Sequence, residues 1–130
     1  MARYLMVLLL SFGAHGLYAQ QDQTPTKLKQ FICVLRVAPG KYDQNTWTKE
    51  ENAAVEKHFD RLKQAVDAGL VILAGRTAES LDKTFGIVVF QAKDQETASE
   101  FMSQDPAVVA GLFTSELHPF SVALLRKNAE

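Results

Sequence analysis

Apolar and polar positions along the chain keep two different rhythms. Ala54, Val55, His58, Phe59, Leu62, Ala65 and Val66 recur at three-and-four spacing, the mark of a helix that lays one face on a core. Thr48 is placed to cap that helix, and Glu51, three residues on, completes a capping box. Gly69 is placed to take the left-handed conformation that stops it. The spacing predicts a first helix within residues 47–70, with one histidine, His58, inside its apolar stripe. Elsewhere the rhythm is that of strands. Residues 29–38 (KQFICVLRVA), 70–74 (LVILA) and 84–92 (TFGIVVFQA) are short runs of branched and aromatic side chains, with 75–83 a turn region. Asp94 can cap a second helix that turns Ala98, Phe101 and Met102 inward, and Pro106 forces it to end near Gln104. Asp105 followed by Pro106 is a cap-then-first-turn pair for one more helical turn, closed by Gly111. Residues 112–125 form a last extended segment, which Pro119 assigns to a sheet edge.

The order β-α-β-β-α-β predicts an α+β domain over residues 29–125, with a ferredoxin-like four-stranded antiparallel sheet and both helices on one face. The first and third strands are apolar on both faces. Phe31, Cys33 and Leu35 alternate with Ile32 and Val34; Phe85, Ile87 and Val89 alternate with Val88 and Phe90. Two helices cover one face only. In a chain of 130 residues the simplest cover for the other is a second copy, so a homodimer is expected.

The ends of the chain carry a different signal. Arg3, the apolar run 4–12 (YLMVLLLSF) and small residues up to Ala19 read as a signal peptide, cleaved before Gln20. The run is too short to span a bilayer, which takes about 20 residues, so export without stable membrane insertion is expected. Residues 20–28 read as a flexible leader and 126–130 as a polar tail. The chain holds 14 basic and 15 acidic residues, and the segment before Gln20 contains only Arg3 of these. That balance, with no basic stripe interleaved with aromatics, excludes the usual footprint of nucleic-acid binding. Cys33 is the only cysteine, cannot form an internal disulfide, and sits where a core strand residue belongs.

Three motifs together resemble the YCII-related (YciI-like) domain family. They are the histidine helix followed by DAGLVILAG (67–75), DPAVVAGLF (105–113) and HPF (118–120), and the match spans about Phe31 to Leu125. The resemblance implies a ferredoxin-like dimeric α/β barrel, with a site built on the helix histidine and the aspartate of the D-P motif. These map to His58 and Asp105. Some members of the family look like lyases or dehydrochlorinases. This chain has Arg76 where the family's A-G is usually followed by proline.

Each candidate residue has a plain structural use beside the chemical one. His58 is either a core histidine bonded to a backbone carbonyl or, with a carboxylate partner, a proton shuttle. Asp105 is a helix cap whose second carboxylate oxygen can still orient His58. Arg36 and Arg76 are either solvated cations or two-pronged anchors for an anionic substrate. Tyr42 and Trp47 either line a cleft or staple the helix start, and His118 reads as structural or exposed. The histidines have no metal-ligand spacing and there is no Gly-rich phosphate loop, so neither metal nor cofactor is expected. The expectation is cofactor-independent acid–base chemistry, an isomerisation or elimination, on a small anionic molecule. The alternative is a non-catalytic small-molecule-binding or structural homodimer whose His58 belongs to the core.

Overall fold

A computed structural model describes residues 27–127. The expected signal peptide lies outside them, as do the leader before Lys27 and the last three residues of the tail. Strands β1 (Lys29–Val37), β2 (Val71–Arg76), β3 (Phe85–Ala92) and β4 (Phe113–Phe120) form one sheet in the order β2-β3-β1-β4, with every pairing antiparallel. Helices α1 (Lys49–Asp67) and α2 (Gln95–Ser103) and the single turn α3 (Pro106–Val109) complete a ferredoxin-like α+β fold.

Alternation along β1 buries Phe31, Cys33, Leu35 and Val37, and the register sets Phe31 beside Phe90 and Cys33 beside Val88. Leu62 and Ala65 of α1, with Ala98 and Met102 of α2, close over that face to make the core. Each large side chain buried there contributes about 1.5–3 kcal/mol. Ile32, Val34, Ile87 and Val89 alternate with these core residues and point to the other face, where the first three are half-buried and Val89 is buried. Cys33 is fully buried, and burial pushes its thiol up from an ordinary 9.0 to about 11.

Helix α1 starts as its sequence dictates. Thr48 Oγ1 accepts from Glu51 N at 3.1 Å, and Glu51 Oε2 accepts from Thr48 N at 2.9 Å. Glu51 also pairs with Lys41, and its carboxyl is held below the usual range by that contact first and then by the Thr48 amide. At the far end Gly69 has φ +75°, the left-handed stop.

Three expectations need correction. The α1 stripe is narrower than its spacing implied: Ala54, Leu62 and Ala65 are buried, whereas Phe59 is 68% and Val66 46% exposed. A helix advances about 100° per residue, so a seven-residue apolar set is wider than the contact line with a sheet. Phe59 and Val66 fall on its outer margin. Second, β2 does not end at Ala74 but runs on to Arg76, which pairs with Gly86. The ladder is long enough because the bulge between Val71 and Leu73 realigns the strand rather than ending it. At the chain's end β4 stops at Phe120, earlier than the extended segment implied, and it lies at the sheet edge with Pro119 in it.

Candidate functional site

His58 lies near the middle of α1, on the side facing the break between α2 and α3. That break is built by local rules. Pro106 occupies the first helical position of α3, and Asp105 before it turns its carboxylate back on the new turn. Asp105 Oδ1 accepts from Ala107 N at 3.0 Å, and Oδ2 lies 2.7 Å from His58 Nδ1. The cap therefore spends one oxygen and leaves the other for the ring. Asp105 has no exposure, and the His58 side chain keeps 14%. Phe113, at the start of β4, sets its ring edge-on to the imidazole at 5.4 Å between centroids.

A third group meets the pair. Arg61 follows His58 by one helical turn; its Nη2 donates to Phe101 O at 2.6 Å, and its guanidinium lies 4.1 Å from the centre of the Phe101 ring. Nη1 stands 3.9 Å from Asp105 Oδ2 and, among the described residues, makes no hydrogen bond although it is buried. Burial pulls the guanidinium below its ordinary range, and Asp105 beside it acts in the opposite direction. Arg61 was not singled out in the sequence. The signal available was its i+3 spacing from His58, which puts both on one face of the helix.

His58 borders a cleft of about 900 Å³ between α1 and the end of the sheet. Leu62, Phe59, Val55, Leu81, Ile87 and Phe113 give it largely apolar walls. Trp47 also lines it, with its Nε1 donating to Lys41 O at 2.8 Å, so the indole is pinned at the helix entrance. Arg36 and Arg76 both border this cleft, but from opposite faces of the sheet. Arg36 shares the face of Phe85 and lies 5.2 Å from that ring's centre. The β2 bulge shifts the alternation by one, so Arg76 instead shares the helix-side face with Gly86, whose missing side chain leaves room opposite it. Among the described residues neither arginine has a carboxylate within ion-pair distance. His118 is away from the cleft on β4, half-exposed, with Nε2 3.2 Å from Glu116 Oε1. No cluster of metal-ligating side chains occurs among the described residues.

A buried carboxylate that holds one imidazole nitrogen orients the ring and selects its tautomer, leaving the second nitrogen for a proton. Such a pair can hold and pass a proton, and here it borders a largely apolar cleft.

Residues 30–120 match the family model described as the YCII-related domain, and the chain belongs to that family. No curated protein sequence matches. Among solved structures the fold is similar to 5-chloro-2-hydroxyhydroquinone dehydrochlorinase from Burkholderia phenoliruptrix, at 16% identity and TM-score 0.49, over 71% of this chain and 93% of that one. It is also similar to an uncharacterised protein from Thermotoga maritima, at 10% identity and TM-score 0.45, over 73% of this chain and 100% of the other. A third is a protein of unknown function from Bacteroides thetaiotaomicron, described as a possible oxidoreductase. It matches at 11% identity and TM-score 0.41, over 73% of this chain and 97% of its own.

Proposed function

We propose that this YCII-family protein is an exported, homodimeric enzyme that moves protons on a small organic anion without a cofactor, in an isomerisation or elimination. His58 is the proton shuttle and Asp105 holds its ring. Arg76, on the helix side of the sheet, and Arg36, on the other face at the same border, anchor the negative charge of the substrate. The observation that carries the reading is the 2.7 Å contact between His58 Nδ1 and Asp105 Oδ2 beside an open cleft. A histidine kept only for the core would be sealed on all sides by apolar groups, and this ring borders the cleft with 14% of its side chain exposed.

The chemistry needs no further group. A neutral imidazole takes a proton from an acidic C–H, and the resulting imidazolium, stabilised by Asp105, returns it elsewhere or to a leaving group. Apolar walls favour the transfer by excluding competing water. A panel of small carboxylates with acidic C–H bonds, incubated in deuterated water and followed by proton NMR, tests the reading. At least one member should exchange carbon-bound hydrogen for deuterium, and His58→Gln should slow that exchange by roughly 100-fold or more. Exchange at equal rates in the wild type and His58→Gln on every active member would leave the non-catalytic binding dimer as the answer.

The dimer rests on the half-buried outer row of Ile32, Val34 and Ile87, side chains that the core cluster beneath the helices does not include. Light scattering of the mature protein should return twice the chain mass. Export rests on the sequence of residues 1–19, and mass spectrometry of protein from a secreting host should find a chain starting at or near Gln20.

A further inference from the structure

Arg61 is the least comfortable side chain near the site. Stacking on Phe101 and a hydrogen bond to the Phe101 carbonyl hold its guanidinium, yet Nη1 is buried with no hydrogen-bond partner among the described residues. Leaving a buried donor unpaired is destabilising. A methionine or leucine would cover Phe101 without that cost, so stacking alone is a poor reason for an arginine here. The nearest carboxylate oxygen to Nη1 is Asp105 Oδ2, at 3.9 Å, the same atom that faces His58.

We infer that Arg61 is a positioning residue for the His58–Asp105 pair, supplying the counter-charge that keeps Asp105 ionised while the His58 ring stays neutral. A buried carboxylate with no exposure needs a positive neighbour to remain an anion. Without Arg61 the only close source is a proton, and the pair would take one up. The extra proton ends on His58 Nε2 in either arrangement: as imidazolium facing carboxylate, or as neutral imidazole accepting from a protonated Asp105. Both leave the ring unable to accept another proton. With Arg61 present, Nδ1–H donates to Asp105 and Nε2 carries no proton, the form a general base requires. The other charged groups near the ring's cleft are Glu56, Asp60 and Lys63 on α1, Arg36 on β1 and Arg76 on β2. Among the described residues none of these pairs with Asp105.

This inference rests on the proposed role of His58 but is tested without any substrate, so the two fail separately. Long-range proton–nitrogen NMR of the labelled full chain at pH 7 reads which ring nitrogen carries the proton, with His58→Gln assigning the signals. The wild-type His58 should show Nδ1 protonated and Nε2 bare. Arg61→Met keeps an apolar cover on Phe101 and removes the charge, and should raise the share of rings protonated at Nε2 several-fold. Arg61→Lys, which restores a charge, should lower that share most of the way back to the wild-type level. An unchanged Nε2 signal in folded Arg61→Met would reduce Arg61 to a packing residue and overturn the inference. If neither variant folds, the wild-type spectrum still decides: a His58 ring protonated at Nε2 at pH 7 is the opposite of what Arg61 is inferred to enforce.

Discussion

The two halves of the domain, β1-α1-β2 and β3-α2-α3-β4, follow the same plan and treat their helices differently. In the first half α1 runs unbroken for 19 residues, from its capping box to the left-handed Gly69. In the second, α2 stops after 9 residues and the chain restarts at Asp105–Pro106 for a single turn. An unbroken helix presents side chains only from its flanks, whereas a restart exposes a fresh set of amides and needs a cap. That cap falls at the domain's centre rather than its surface. Asp94, opening α2, serves the Thr97 amide at 2.8 Å from a half-exposed position and carries no wider burden. Asp105 does the same work fully buried and touches the first half through His58 and Arg61. One residue type at one kind of helix position is a local detail in one place and the joint between halves in the other.

The largest effect should come from breaking that joint. Asp105→Ala loses the α3 cap and strands His58 and Arg61 without their carboxylate, and urea unfolding should show a loss of about 3 kcal/mol. Asp105→Asn sharpens the point, because asparagine caps about as well as aspartate. It should cost about 1 kcal/mol while abolishing any exchange chemistry that depends on His58. Equal stability losses in the two variants would mean that the charge, not the cap, is what joins the halves.

The first half should respond more mildly at its own helix start. Thr48→Ala removes the capping-box hydroxyl at an exposed site and should cost about 1 kcal/mol in the same assay, without altering the ring-nitrogen signals of His58. A change in those signals would show that the start of α1 reaches the site.

The smallest effect at neutral pH concerns Cys33, on the first half's β1, which both strands of the second half flank. Its thiol binds its proton more tightly folded than unfolded, because burial raises it from 9.0 to about 11. Stability from this group is complete below about pH 9 and falls as pH rises through that window, since the unfolded thiol ionises first. Cys33→Ala should flatten the alkaline decline in stability. At pH 8 a disulfide reagent should leave folded Cys33 untouched and modify it in urea; rapid modification of the folded chain would contradict its burial.

Local chemistry made much of this molecule legible in advance. The capping box at Thr48, the Asp94 and Asp105 caps, the stops at Gly69 and Gly111 and the edge placement of Pro119 all depend on neighbours within a few residues. Two-residue alternation in β1 sorted its side chains into two apolar sets, and only the packing of the helices decided that the set with Phe31, Cys33 and Leu35 enters the core. Contacts between distant segments were left to the tertiary structure. The sequence offered His58 and Asp105 as a candidate pair without deciding whether they meet; their 2.7 Å approach across 47 positions depends on how α1 settles against the α2–α3 break. Arg61 carried no signal beyond its spacing, because an arginine on a helix looks solvated until a buried carboxylate is brought beside it. The end of β2 and the face taken by Arg76 were hidden for a similar reason: a bulge is a property of two paired strands, and no single strand declares it.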